Sequence, residues 1–137
     1  TRSYSVTGVQ TCALLIFIVL DSLTDLATQY SKTEQWNDFS AFLKGLQRIT
    51  KKWNTTIYLP LTGGILDRGR ETEIADAVDA VLLFRWEETP GARRQRVMHF
   101  EKFRGLMPHL EERDLVKFAV RITSSGGFEV SNIRVVI

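Results

Sequence analysis

Unbroken apolar runs predict the first strands of this chain. Residues 17–20 are apolar at every position, and Asp21 and Ser22 follow them. A run without alternation favours a strand buried on both faces, as in a parallel sheet that helices cover. Residues 55–61 form a second β-rich run and residues 80–84 a third.

Apolar residues at helical spacing lie between the first two predicted strands. Residues 31–34, Ser-Lys-Thr-Glu, have the pattern of a capping box. Apolar residues then recur every three or four positions from Trp36 to Trp53, which predicts one amphipathic helix. The charged residues 66–73 predict a loop, and a short helix is expected around residues 72–77.

Antiparallel strands are expected after the third run. Residues 87–91 predict a turn, so that residues 80–100 form a hairpin. Residues 115–123 alternate between apolar and polar, as in a strand with one face covered. Residues 124–127 predict a turn, and residues 133–137 a last apolar strand. The order β-α-β-α-β followed by antiparallel strands predicts an α/β fold with a mixed sheet edge.

Composition narrows the class of protein. The chain has 137 residues, of which 44% are hydrophobic and 25% charged, which excludes a disordered tail and predicts one domain. Its net charge is 18 − 16 = +2, which by itself names neither nucleic acid nor membrane as a partner. A single cysteine, Cys12, excludes a disulfide scaffold and fits a reducing compartment.

The first residues have the character of a non-native leader. Residues 6–16 resemble a translated sequencing adapter, which would carry Pro in place of Leu15. We therefore expect residues 1–16 to be foreign to the protein. The apolar run over residues 13–20 is shorter than the roughly twenty residues that cross a bilayer, so no membrane segment is predicted.

Two elements carry candidate chemistry. Asp21 follows an apolar strand, at the position where open α/β sheets bind ligands and where a carboxylate can hold Mg²⁺. A turn that ends the strand is the alternative. Lys102 and Arg104 alternate in a segment after the predicted hairpin strand, where two cations on one side could clamp a phosphate. A solvated charge pair is the alternative there.

These elements occur in an order that resembles a known family. The strand ending in Asp21-Ser22, the amphipathic helix, the run over residues 55–62, the segment 74–82 and Lys102-Phe-Arg104-Gly105 closely resemble the KaiC-like branch of the RecA-type ATPases. The resemblance implies that residues 17–137 are the C-terminal part of a KaiC/RecA-like ATPase domain. The implied fold is a partial RecA-like core, a mainly parallel sheet with helices plus antiparallel C-terminal strands.

The resemblance also implies roles for five residues. Asp21 would be the Walker B residue that organises Mg²⁺ through water, with Ser22 as its hydrogen-bonding neighbour. Thr62 would lie where RecA-type enzymes place a γ-phosphate sensor. Lys102 and Arg104 would act in trans on the ATP of a neighbouring subunit, which implies a homo-oligomeric ring. The implied cofactors are ATP and Mg²⁺.

The sequence departs from the family at the phosphate-binding loop. No Gly-x-x-x-x-Gly-Lys-[Ser/Thr] motif occurs, and no Lys follows Gly63-Gly64. The family's catalytic Glu is also missing. We therefore expect a truncated chain without ATPase activity, from a cytoplasmic parent that hydrolyses ATP for regulation or signalling. The alternative is a non-catalytic assembly or regulatory module of the same fold, with protein signalling partners.

Five arginines form a candidate nucleic-acid surface: Arg68, Arg70, Arg93, Arg94 and Arg96. Aromatic residues for base stacking are not interleaved among them, and neighbouring glutamates offset their charge. The sequence therefore predicts against nucleic-acid binding, with a DNA-binding recombinase-like paralogue as the remaining alternative.

Overall fold

The chain forms a mixed α/β structure in two compact units. A computed structural model describes residues 16–91 and 93–133. The N-terminal unit ends at Val78, and the C-terminal unit begins at Asp79. The predicted α/β class is confirmed. The predicted leader lies outside the described residues except for Ile16, which begins the first strand, and Cys12 also lies outside them.

The N-terminal unit has two parallel strands and three helices. They are β1 (Ile16–Val19), α1 (Leu23–Ser31), α2 (Trp36–Trp53), β2 (Thr55–Tyr58) and α3 (Arg68–Ala77). β1 and β2 pair in parallel from Ile16 opposite Thr55 to Val19 opposite Tyr58. Two helices lie between the strands along the chain, because a parallel pair needs a long crossover connection.

Helix α1 corrects the sequence analysis. The sequence analysis predicts no helix between the first strand and residue 31, but Leu23, Ala27 and Tyr30 have helical spacing, and the first two are buried. The predicted capping box at residues 31–34 is wrong. Ser31 is the last residue of α1, and its hydroxyl donates to the carbonyl of Thr28 at 2.8 Å.

Helix α2 confirms the predicted amphipathic helix. It buries Phe39 and Leu43 and ends at Asn54, whose φ of 49° is left-handed. An Asn in this conformation ends a helix because its short polar side chain tolerates positive φ. Lys51 and Lys52 lie in the last turn, where cations interact favourably with the helix dipole.

Helix α3 begins earlier than predicted. The segment 66–73 was expected to be a loop, but Asp67 caps a helix there by accepting a hydrogen bond from the Arg70 backbone N–H at 3.0 Å. The Arg70 guanidinium donates to the Ser31 carbonyl at 2.8 Å and lies 4.9 Å from the centre of the Trp36 ring. These contacts hold a polar helix that buries little apolar surface.

A single core holds the N-terminal unit together. Its buried members come from all three helices and the segment before α3: Leu23, Ala27, Phe39, Leu43, Leu66, Ile74 and Ala77. Phe39 is 1% exposed, and its ring centroid is 5.0 Å from that of Trp36 and 5.8 Å from that of Tyr30. Such pairs contribute beyond the area they bury.

Strand β1 is not buried on both faces as predicted. Its four side chains are 37–63% exposed. The core packs instead against apolar residues that follow the strands, Leu20 after β1 and Leu59 and Leu61 after β2. Within this unit the helices therefore cover the strand ends and leave the side chains of β1 open.

The C-terminal unit is a four-stranded antiparallel sheet. Its elements are β3 (Ala80–Thr89), β4 (Arg93–Phe103), α4 (Met107–Glu112), β5 (Lys117–Thr123) and β6 (Gly127–Asn132), and the strand order is β3-β4-β5-β6. The predicted hairpin over residues 80–100 and the turn before β6 are confirmed. The run over residues 134–137 lies outside the described part of the chain.

The expectation of a mainly parallel sheet is wrong. Among the described residues only β1 and β2 pair in parallel. The third apolar run begins β3, whose neighbour β4 follows after a turn at Gly91, and β6 follows β5 after a turn that ends at Gly127. Both glycines have positive φ, 107° and 69°. Turns this short can only return the chain antiparallel.

A carboxylate and two cations are paired on the C-terminal sheet. Glu87 on β3 forms ion pairs with Lys117 on β5 and with Arg85, whose Nη2 is 2.9 Å from Glu87 Oε1. The hydrogen bond from Lys117 holds the pKa of Glu87 below its ordinary value, and Arg85 acts in the same direction. Across the described helices, none combines the length and apolar character needed to cross a membrane.

We expect Phe39→Ala to lower the free energy of unfolding by about 3–5 kcal/mol, because it leaves a cavity between α1 and α2. Phe42→Ala is the matched control: Phe42 lies on the same helix, is 44% exposed, and should cost about 1 kcal/mol or less. Urea unfolding followed by tryptophan fluorescence measures both. Equal losses would contradict the core described here.

We expect Glu87→Gln to reduce the loss of stability in acid. A carboxylate whose pKa is lower in the folded state stabilises that state above its unfolded pKa, and this contribution disappears as the pH falls through the folded pKa. The difference in melting temperature between about pH 7 and about pH 3 should therefore shrink in this variant. Glu88→Gln, at an exposed position on the same strand, is the control and should behave as the wild type.

Candidate functional site

The carboxyl ends of β1 and β2 meet at one edge of the N-terminal unit. The Leu20 N–H donates to the Tyr58 carbonyl at 3.0 Å, and the Leu23 N–H donates to the Pro60 carbonyl at 2.9 Å. The backbone pairing thus continues beyond both strands. It holds the turn at Asp21 alongside the segment that follows β2, where sequence reasoning expects ligand-binding groups.

Thr24 connects the two segments directly. Its hydroxyl oxygen accepts a hydrogen bond from the Thr62 backbone N–H at 2.9 Å, and the two hydroxyl oxygens are 3.4 Å apart. We call Asp21, Ser22, Thr24 and Thr62 the strand-end site. Sequence reasoning missed Thr24, although a threonine in the first turn of a helix after a strand was the available signal.

The predicted metal ligand is exposed at this site. Asp21 lies in the turn between β1 and α1, and the peptide bond to Ser22 is cis. The Ser22 hydroxyl donates to Asp25 Oδ2 at 3.0 Å. Carboxylate and hydroxyl oxygens are hard ligands of the kind that Mg²⁺ takes, directly or through water. The residues present therefore fit one side of a magnesium site.

The segment after β2 is tied to helix α3. The Gly64 N–H donates to Glu71 Oε1 at 2.7 Å, and Gly64 has a φ of 82°, a conformation that favours glycine. This contact fixes the glycines that follow Thr62. They supply no lysine, so the phosphate cradle of a P-loop is not formed by these residues.

Lys102 and Arg104 belong to the C-terminal unit. Lys102 lies on β4 opposite Val81, beside a β-bulge. The sequence analysis placed Arg104 on the same side as Lys102 by strand alternation. Arg104 lies one residue beyond the end of β4, so this alternation does not apply to it. Instead Asp79 holds it: the Arg104 N–H donates to the Asp79 carbonyl at 2.8 Å, and its Nη1 is 3.4 Å from Asp79 Oδ1.

The arginines of the candidate nucleic-acid surface are divided between the two units. Arg68 and Arg70 lie on α3, and Arg70 is engaged with Trp36 and Ser31. Arg94 and Arg96 lie on β4. Their guanidinium carbons are 5.3 and 4.7 Å from the centre of the Trp86 ring on β3. The premise that no aromatic accompanies these arginines is therefore wrong for the hairpin.

Groups of three or more His, Cys, Asp or Glu side chains that could hold a metal ion do not occur within residues 16–91 and 93–133. Any divalent cation at the strand-end site would therefore rely on Asp21, on hydroxyl oxygens and on other ligands such as water and phosphate.

Comparison with known proteins identifies the fold. No protein-family model matches the chain, and no curated protein matches it. A solved KaiC-like protein from the hyperthermophilic archaeon Pyrococcus horikoshii is similar in structure, with a TM-score of 0.55 and 18% sequence identity. The fold is KaiC-like. The match covers 93% of this chain and 54% of that one, so the chain spans about half the length of its KaiC-like neighbour.

The KaiC-like fold agrees with the family resemblance at the level of architecture. In this fold the strand-end site lies at the carboxyl ends of the parallel pair, and the antiparallel sheet follows it along the chain. At 18% identity the likeness extends to the fold alone. The roles of Asp21, Thr62 and Lys102 remain predictions.

We expect Thr24→Val to loosen the strand-end site without unfolding the unit, because it removes the acceptor for the Thr62 N–H. Amide hydrogen exchange at Thr62 should accelerate by up to about tenfold. Thr72→Val is the control: its hydroxyl bonds to the Arg68 carbonyl within α3, away from Thr62. Unchanged exchange at Thr62 in Thr24→Val would contradict the described contact.

Proposed function

We propose that this chain contributes the strand-end half of an ATP–Mg²⁺ site in a KaiC-like, RecA-superfamily ATPase. The observation that carries the proposal is the meeting of the Asp21 turn with Thr62, 41 positions later in the sequence, at the carboxyl end of a parallel strand pair. Open α/β folds bind their ligands at this place. The KaiC-like architecture supports the same assignment.

Each residue of the site has a defined task in this proposal. The Asp21 carboxylate would hold Mg²⁺ through water. The Thr62 hydroxyl donates to a γ-phosphate oxygen, and Thr24 fixes the Thr62 backbone for that contact. Mg²⁺ would supply positive charge that neutralises the phosphates. Ser22, linked to Asp25, holds the turn in place.

Lys102 and Arg104 act in trans in this proposal, on nucleotide bound by a neighbouring subunit of a homo-oligomer. The Arg104 side chain is 52% exposed, and its partner Asp79 is 42% exposed. An exposed ion pair of this kind contributes about 1 kcal/mol or less, so Arg104 can exchange Asp79 for a phosphate. A planar guanidinium matches phosphate oxygens bidentately.

The chain alone should not hydrolyse ATP, because neither the P-loop lysine nor the family's catalytic Glu is in its sequence. In the proposal those groups belong to a longer, cytoplasmic parent protein that uses ATP for regulation or signalling. The missing motif also favours a second candidate, a non-catalytic assembly or regulatory module of the same fold. The upstream reading frame from the same source discriminates the two: a P-loop followed by paired acidic residues supports the ATPase.

In the parent enzyme, Asp21→Ala should abolish hydrolysis, and Arg104→Ala or Lys102→Ala should slow it by about 10³-fold while nucleotide stays bound. Steady-state phosphate release and equilibrium binding of a fluorescent ATP analogue measure the two effects. Arg113→Ala, an exposed cation of the same unit, is the control and should keep full activity.

Mixing two inactive variants tests the action in trans. An Arg104→Ala subunit keeps its own Asp21, and an Asp21→Ala neighbour still supplies Arg104 to it. Mixed oligomers should therefore regain part of the wild-type rate. Mixed oligomers as inactive as either parent would contradict the assignment in trans, and full activity of Arg104→Ala alone would contradict any role in hydrolysis.

A further inference from the structure

One face of the C-terminal sheet is apolar and exposed. Directly opposed residues of antiparallel strands point to the same face. Trp86 opposes Arg96, Arg96 opposes Val120, and Val120 opposes Val130, so this row crosses all four strands. Every second residue along each strand joins the same face. Its large exposed apolar residues, which we call the open sheet face, are Leu82, Phe84, Trp86, Ile122, Phe128 and Val130.

The other face of the sheet differs in character. It carries the ion pairs of Glu87 with Lys117 and Arg85, and it buries Val97 and Ala119, which oppose each other across β4 and β5. The ion pairs thus lie on that face, whereas burial is shared between the two faces, since Val120 on the other face is 6% exposed. The open sheet face keeps side chains that are 36–63% exposed, an apolar patch on the order of 500 Å². A patch of this size is in the range of the largest apolar patch on a typical monomer, and such patches are often functional.

Aromatic rings dominate the most exposed part of this patch. Phe84 is 62% exposed, Phe128 57% and Trp86 52%. Phe84 and Trp86 are two positions apart on β3, which separates them by about 7 Å along the strand. They therefore present two neighbouring π surfaces on a rigid sheet rather than on a loop.

Arg94 and Arg96 lie at one end of the open sheet face. Both guanidinium groups contact the Trp86 ring, and neither forms a salt bridge with a carboxylate of the described residues. The net charge also differs between the two units. Residues 79–137 carry 10 − 8 = +2, and residues 1–78 carry 8 − 8 = 0. The net positive charge of the chain thus belongs to the unit that carries the open sheet face, although the N-terminal unit also has exposed aromatic residues such as Phe17 and Trp53.

We propose that the open sheet face binds single-stranded nucleic acid. Bases stack on Phe84, Trp86 and Phe128, because every base has a π surface that fits an exposed ring. Arg94 and Arg96 contact the phosphates and extend the stacking surface of Trp86. A single strand is required, because the bases of a duplex are stacked inside it and cannot lie on a flat sheet.

The combination of exposed aromatic rings and arginines favours single-stranded nucleic acid over a protein partner. Leu82, Ile122 and Val130 would suit either, since aliphatic side chains contact sugars and bases as well as apolar protein surfaces. Arg94 and Arg96 line the edge of an aromatic patch and match a ligand that is both planar and anionic along its length. Glu88 opposes Arg94 on the same face, but no ion pair joins them in the described part of the chain. This proposal does not depend on the ATP site, because all its residues lie in the C-terminal unit.

The test measures binding of the full chain to fluorescein-labelled oligo-dT and oligo-U of about 16 nucleotides by fluorescence anisotropy, between about 50 and 200 mM salt. We expect salt-dependent binding of one or both single strands and weaker binding of a duplex of the same length. Comparison of the two probes distinguishes DNA from RNA as the source of the ligand.

Trp86→Ala should weaken single-strand binding about tenfold. Arg94→Gln with Arg96→Gln should lower the slope of log affinity against log salt by about 1.4. Two controls should bind as the wild type: Arg121→Gln removes an exposed arginine from the opposite face, and Phe17→Ala removes an exposed aromatic ring from β1. Circular dichroism checks that each variant is folded, and Trp86→Phe should recover most of the affinity.

Three results would overturn the proposal. They are an absence of salt-dependent binding to either single strand, equal affinity of Trp86→Ala and wild type, and a duplex that binds as tightly as the single strands. Sedimentation of the same samples supplies the competing outcome. Self-association that Trp86→Ala abolishes, without oligonucleotide binding, would identify the open sheet face as a protein interface instead.

Discussion

The parallel pairing of β1 with β2 is the constraint on which the N-terminal unit depends. A parallel pair needs a long crossover, and here α1 and α2 fill it. Its hydrogen bonds continue past the strands, from the Leu20 N–H to Tyr58 and from the Leu23 N–H to Pro60. The same backbone register therefore fixes the start of α1 and places the Asp21 turn beside the segment after β2. The candidate site is a consequence of the pairing.

Packing explains why the crossover is stable although β1 is exposed. Phe39 is enclosed by the rings of Tyr30 and Trp36, and the apolar residues after the strands complete the core. The helices thus meet the strand ends and leave the side chains of β1 exposed, whereas Thr55 at the start of β2 is buried. The packed elements of the unit thus end at the edge where Thr24 meets Thr62. Packed elements of this kind hold their groups in place, as the proposed ATP site would require.

The sequence predicted correctly those elements that have one strong local pattern, such as an apolar stripe or a turn. Helix α2 has a full apolar stripe, and the hairpin has its turn at Gly91, so both were predicted correctly. Helix α1 was missed because its apolar positions are spread through polar residues. Asp21 was predicted from its place after an apolar strand, and Thr62 was implied by the family resemblance alone. Thr24 and Asp79 were not predicted, since a hydrogen bond or ion pair between residues far apart in the sequence leaves no periodic pattern of residue types.

Strand pairing also decides what the arginines of the hairpin can do. Along the chain Arg94 and Arg96 have only polar and aliphatic neighbours, and the sequence argued against base stacking for that reason. The register brings Trp86 opposite Arg96, and alternation brings Arg94 to the same face. Trp86 and Arg96 are ten positions apart in the sequence, and they share one surface because the hairpin folds the chain back on itself. Composition within a segment is therefore a poor guide to the surface of a sheet, whose neighbours are set by register.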